Sequence, residues 1–183
     1  MTVKNIARAA AELLTADDVV ATLNGDPDVA AADDEVKIFV KAVNTAAVNA
    51  AYDGFPIVKT ETVRASGGKI AFDAFTRTPS SVGLVEAGGR CVSFGFDSRG
   101  ISVPDDGEYT VTFTVEPESA ELLSHVETGA GCDFSVLAFL TARNYCLMTG
   151  RTDEAQVWDQ MYDSALMRKR LSRRASLPVR VWR

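Results

Sequence analysis

A single histidine, His125, occurs in the 183 residues. A His-built metal centre or a His-dependent catalytic triad has only that one imidazole to draw on. The three cysteines, Cys91, Cys132 and Cys146, are odd in number and show no C-x-x-C spacing. A disulfide framework is therefore disfavoured, and reduced thiols fit a cytosolic origin. No stretch approaches the roughly 18 apolar residues of a membrane span. The N-terminal run MTVKNIARAAAELL is interrupted by Arg8 and Glu12. It reads as an amphipathic helix rather than a signal peptide, so neither export nor membrane insertion is expected. An excess of positive charge is also missing: 19 Lys and Arg face 25 Asp and Glu, for a net −6. That balance disfavours a wholly basic nucleic-acid binder.

What is present is globular in composition, with 46% apolar and 24% charged residues. The length suits one domain, or one core with a sizeable insertion. The net charge hides a split. Residues 164–183 hold seven basic side chains and no acid, so the first 163 residues carry −13.

Periodicity divides the chain into helical, β and helical thirds. Ile6, Ala9, Ala10, Leu13 and Leu14 follow helical spacing. Thr15 to Asp18 offers a cap and first-turn acids for a short helix with Val19, Val20 and Leu23. Asn24 to Pro27 reads as a turn. Asp33 or Asp34 caps a longer helix with Val36, Phe39, Val40, Val43, Ala47 and Ala50 on one stripe, ending near Tyr52 before Gly54 and Pro56.

Strands are expected at 57–63, 70–76, 81–85, 91–96 and 101–103. Turns fall at Ser66–Lys69, Glu86–Gly89 and Pro104–Gly107. Gly83 also fits a turn, and Gly95 a bulge. Tyr109, Val111, Phe113 and Val115 alternate strictly with threonines, the pattern of a half-buried strand. Short strands without helices between them indicate an antiparallel β-sandwich or small barrel. Helix returns at 133–148, with Phe134, Leu137, Leu140, Thr141, Tyr145 and Met148 on its stripe. Gly150 stops it. Thr152 caps a last helix burying Val157, Trp158, Met161, Tyr162, Ala165 and Leu166, which runs into the basic segment and closes at Pro178.

The fold class expected is α+β: a helical bundle formed by N- and C-terminal helices, with an inserted antiparallel β-sandwich or small barrel. The divisions are 1–53 and 119–170 for the bundle, 54–118 for the β module and 171–183 for a basic C-terminal arm.

Residues with chemical potential have simpler explanations. The pairs Asp17-Asp18, Asp33-Asp34 and Asp105-Asp106 sit at helix starts and in a turn. Gly67-Gly68-Lys69 leads into a strand, whereas a phosphate loop leads into a helix. His125 and Cys132 are seven residues apart, but nothing nearby indicates a lowered thiol pKa beyond a possible helix N-terminus. Ser98 lacks a partner base. No catalytic residue, metal site or cofactor is expected, and the protein is not read as an enzyme.

The basic end is different. A purely solvating tail would not carry Leu177, Val179, Val181 and Trp182. Arginines interleaved with such residues suit an acidic partner surface, where guanidinium groups fork onto carboxylates and Trp anchors. Nucleic acid is the other acidic partner.

Three segments carry a resemblance. One is Tyr52-Asp-Gly-Phe-Pro56 with Glu61-Thr-Val63 and Gly68-Lys-Ile-Ala-Phe72. Another runs from Val103 through Pro-Asp-Asp-Gly-Glu-Tyr-Thr to Val111, then Val115-Glu-Pro117. The most specific is Ala142-Arg-Asn-Tyr-Cys-Leu-Met-Thr-Gly150, with Glu154-Ala155, Trp158, Tyr162, Ala165-Leu166 and the final Arg-Val-Trp-Arg. In these the chain resembles the head–tail connector (adaptor, or head-completion) proteins of tailed bacteriophages and prophages.

The resemblance implies a structural protein of the virion neck, assembled in the host bacterial cytoplasm. Such proteins form homo-oligomeric rings, commonly of twelve, beneath the portal protein. A tail or tail-terminator (stopper) protein joins the ring below, and DNA passes through the lumen without being read. The portal-docking role falls on Arg170, Leu171, Arg173, Arg174, Leu177, Pro178, Val179, Arg180, Val181, Trp182 and Arg183. The alternative is a non-enzymatic module that binds glycan or protein through the β-sandwich. That would need an exposed aromatic platform, for which Phe55, Phe75 and Phe94 are the plausible supply, although each fits a core better.

Overall fold

A computed structural model describes residues 1–175, with side chains to residue 169. The chain forms two compact units. One joins Met1–Phe55 to the chain from Pro117 onward, and the other is Pro56–Glu116. The architecture is α+β, with helices toward both ends and antiparallel sheets between them.

The helical unit begins with α1 (Val3–Leu13), α2 (Asp17–Asn24), α3 (Pro27–Ala32) and α4 (Asp34–Asp53). It ends with α5 (Phe134–Met148) and α6 (Thr152–Ala175). Asp33 caps α4, its Oδ1 accepting from the backbone N–H groups of Glu35 and Val36, both at 2.9 Å. Asp133 caps α5 in the same way through Val136 N–H. Helix α5 is central, packing against α1, α4 and α6. That position buries Val136, Ala138, Ala142, Asn144 and Cys146 beyond the expected stripe. The ends of the stripe, Phe134 and Met148, are exposed instead.

Two expected helix caps fail, and one expected turn also starts a helix. Thr15 adopts φ +53° and bonds its hydroxyl to Leu14 C=O, so it terminates α1 and cannot cap α2. Asn24–Pro27 is more than a turn, because Asp26 caps α3 and Pro27 occupies its first turn. In α6, Arg151 C=O already accepts the helical bond from Ala155 N–H, so Thr152 lies inside the helix. On α6, Tyr162 and Leu166 are buried and Trp158 and Ala165 half-buried, but Val157 and Met161 face solvent. Only one partner helix, α5, covers α6 extensively, so its apolar stripe is wider than the surface that buries it.

The β unit contains β1 (Ile57–Ala65), β2 (Lys69–Ile70), β3 (Ser81–Ala87), β4 (Arg90–Cys91), β5 (Gly95–Asp97), β6 (Gly100–Ser102) and β7 (Gly107–Val115). They form two antiparallel sheets, ordered β1-β7-β3-β4 and β2-β6-β5. The barrel alternative is not realised: the sheets stay open and contribute to one core. The alternation of β7 is as expected, with Tyr109, Val111, Phe113 and Val115 buried.

The expected strand 70–76 stops at Ile70 and gives way to a 3-10 turn at Phe72–Ala74. Leaving the sheet there lets Phe75 pack edge-on against Phe113, with centroids 4.9 Å apart. The expected strand 91–96 is two strands, β4 and β5, in different sheets. Gly83 lies at a register shift inside β3 rather than in a turn, and Gly95 pairs regularly with Ser102. Gly100 is dictated by space: at φ +144° a Cβ would stand 2.5 Å from Ile70 C=O.

Candidate docking surfaces

In the helical unit, the segment that follows the β unit is pinned on both sides. Asn44 of α4 donates from Nδ2 to Ala120 C=O at 3.0 Å and accepts Ala120 N–H on Oδ1 at 2.9 Å. The side-chain amide thereby substitutes for a strand neighbour and satisfies both backbone groups. At the other side, Val3 and Lys4 N–H donate to Ser124 and Leu122 C=O at 3.0 and 2.8 Å. These are the first amides of α1, which have no partner within the helix. Leu122 turns inward and is buried, while Leu123 is 60% exposed.

Between this segment, α3 and the first half of α4 runs an open groove of about 870 Å³. Ala31, Ile38, Val40 and Leu123 supply apolar wall, and Asp28, Asp34, Lys37, Lys41 and Glu121 supply charge. The Lys37 ammonium lies 2.7 Å from Asp34 and, with its hydrogen bond, lowers the Asp34 pKa. Lys41 has no ion-pair partner among the described residues. Sequence reasoning missed this groove. The signals available were Asp26-Pro27, a helix start, and Leu122-Leu123 between a strand and a helix.

The second surface is the basic end of α6. Lys169 Nζ lies 2.7 Å from Asp133 Oδ2, the cap of α5. The burial of Asp133 works to raise its pKa. Hydrogen bonds from Lys169, Ser135 and Val136 outweigh it and hold the carboxyl below its ordinary value. The α6 backbone continues to Ala175, so Arg170, Leu171, Arg173 and Arg174 belong to helix. Six residues past the tie add roughly 9 Å of helix. Leu177, Pro178, Val179, Arg180, Val181, Trp182 and Arg183 lie outside the described residues.

The residues weighed for chemistry are occupied structurally. Met1 N lies 3.3 Å from His125 Nδ1. The Cys132 thiol is pushed up to about 12, first by burial and then by Asp133, which opposes thiolate formation. Gly68 N–H is given to Asp106 Oδ1 at 2.7 Å, and this bond, with one from Gly67 N–H, lowers the Asp106 pKa. That turn therefore spends its backbone donors on an internal carboxylate. Glu35 accepts the Tyr145 hydroxyl at 2.7 Å. Burial first, then this carboxylate, pushes Tyr145 up to about 12. Among the described residues, no three His, Cys, Asp or Glu side chains converge as a metal site requires. No helix among them is long and apolar enough to cross a membrane.

Of the aromatics considered for a β platform, Phe55 is buried in the helical unit, Phe75 is buried in the β core and Phe94 is half-buried against it. The exposed aromatic of the β unit is instead Phe96, 42% exposed and 5.6 Å from Phe72. Neither a comparison with known protein families nor one with curated proteins finds a match.

Proposed function

We propose that the protein is a structural subunit of the neck of a tailed-phage virion, forming a ring under the portal that joins the head to the tail. The observation that carries this reading is the basic end of α6. The helix is fastened to the bundle at Lys169–Asp133, and its backbone then continues past the start of α5 toward the Arg- and Trp-bearing C-terminus. Such an element suits an arm offered to a neighbouring protein, here the portal.

Charge supports the rest of the reading. In residues 56–116, six basic residues face eight acidic ones. In residues 1–55 and 117–163 together, six basic residues face 17 acidic ones. An acidic body disfavours retention of phosphate backbone and so suits a passage for DNA. Deleting residues 171–183 should leave folding intact and yield heads that do not join tails. Infectious particles at the normal yield would refute the assignment.

A second reading, a module that binds glycan or protein, is favoured by the Phe96–Phe72 pair, since exposed aromatics stack on sugar faces and anchor interfaces. Binding on a glycan array that Phe96→Ala abolishes would select it.

A further inference from the structure

We propose that β1 pairs antiparallel with β1 of a second copy, about a two-fold axis through Thr60. Strand β1 stands at the edge of its sheet, with β7 as its neighbour there. It pairs with β7 along all nine residues, without a register shift, and it contains no proline. An edge of that length is a template for another strand.

Charge decides which strand. The odd-numbered positions of β1 face the core, where Ile57, Val63 and Ala65 are buried. Alternation puts Lys59 and Glu61 on the same side, opposite Phe113 and Val111 of β7. Lys59 is exposed and Glu61 half-buried, with Glu61 Oε2 accepting the Thr76 N–H at 3.0 Å. Charges on the inward face of an edge repel most incoming strands, because an apolar strand offers them no partner.

A second β1 does offer one. Turned about Thr60, it sets Lys59 against Glu61 of the second copy and Glu61 against its Lys59. Ile57 then meets Val63, Val58 meets Thr62, and Thr60 meets its own counterpart. Sliding the pair by two residues opposes Lys59 to Lys59 or Glu61 to Glu61, and like charges directly opposite are unfavourable. Sliding it by one turns the core-facing set outward. One register therefore survives, and it is self-complementary, as an isologous contact must be. Such a contact closes at two copies, so it neither builds a ring nor rests on the neck reading.

Disulfide trapping tests it in a Cys91→Ser background of the full chain. Directly opposed strand residues stand about 4.5–5.5 Å apart at Cα, within disulfide reach. Under mild oxidation, Thr60→Cys copies should cross-link to one another about tenfold faster than copies carrying Ser98→Cys in an exposed turn. Val58→Cys should cross-link to Thr62→Cys in preference to itself. In sedimentation, Lys59→Glu should weaken the dimer about tenfold, since symmetry counts each charge pair twice. Adding Glu61→Lys to that variant restores complementarity and should restore the dimer.

Thr60→Cys cross-linking at the Ser98→Cys rate would overturn the proposal, as would a double swap that keeps its Tm yet stays monomeric. So would preferential capture of Thr60→Cys by a Val181→Cys copy, which would make the C-terminal segment the added strand. The 171–183 deletion reads head–tail joining rather than this contact, so either idea can fail alone.

Discussion

The helical and β units bury apolar surface with different side chains. Ten alanines, among them Ala7, Ala10, Ala42, Ala46 and Ala142, belong to the helical core. The β core holds one, Ala65, alongside Phe75, Tyr109 and Phe113. Small side chains let helix axes approach closely, so the helical core has little room for added volume. The β core, filled by rings in edge contact, is vulnerable to removed volume. Continuity differs too. The β unit is one unbroken stretch, whereas the helical unit joins two stretches separated by the whole β unit. Besides the apolar core they share, polar ties join the two stretches: Asn44 to Ala120, Tyr145 to Glu35 and Tyr162 to Asp53.

The largest expected effect lies in the β unit. Phe113 is 1% exposed and contacts Phe75. Phe113→Ala should cost about 3–5 kcal/mol. Denaturation followed by residue-resolved NMR should show β-unit resonances lost well before those of the helical unit. Equal loss in both would break the independence that two separate cores imply.

The converse test adds volume to the helical unit. Ala46 is fully buried on α4, so Ala46→Leu should cost about 1–3 kcal/mol through overpacking. The same change at half-buried Ala87 of β3 should cost less, as read by denaturant midpoint at constant slope. A larger loss at Ala87 would reverse the contrast drawn from core composition.

A smaller loss is expected from the polar tie that unites the two helical stretches. Asn44→Ala leaves both backbone groups of Ala120 without their partner, at about 1–3 kcal/mol if they stay dry and toward the low end because they are only part-buried. Hydrogen exchange should speed at Ala120 first, and then at Val3 and Lys4, whose amides bond the same segment. Exchange unchanged at Val3 and Lys4 would show the two sides of the segment to be uncoupled.

These contrasts also explain how much was legible in the sequence. The α+β layout could be read, because β7 alternates over nine residues and α4 keeps its stripe between an Asp cap and Gly54. Periodicity failed where tertiary packing overrode it. Ile70 and Phe72 alternate like strand residues, yet the chain leaves the sheet after Ile70 and packs Phe75 edge-on against Phe113. Val157 and Met161 repeat like core residues, yet they face solvent. No local pattern encodes which neighbour a helix receives, and for that reason the groove was invisible too. Its walls come from α3, α4 and a segment some 80 positions away. The basic end was plain from counting charges, but its fastening at Asp133 needed the fold.

The smallest effect concerns that fastening, and it separates a cap from an ion pair. Asp133 caps α5 and also holds Lys169 of α6. Asp133→Ala removes both functions and should cost about 1 kcal/mol, the usual worth of a cap, because a half-exposed pair adds little. Asp133→Asn keeps a capping oxygen and discards the charge, so it should recover most of that loss. The pH response distinguishes the two roles. The folded pKa of Asp133 lies below the ordinary 3.8, so its contribution is fully present above that value. It is lost as pH falls through the lower folded value. Protection of α6 amides near Lys169 should therefore hold from neutral pH down to about 4 and fall below it in the wild type. In the Asn variant that acid step should be missing. An identical step in both proteins would mean that another carboxylate anchors the basic end, and the tie between α5 and α6 would lie elsewhere.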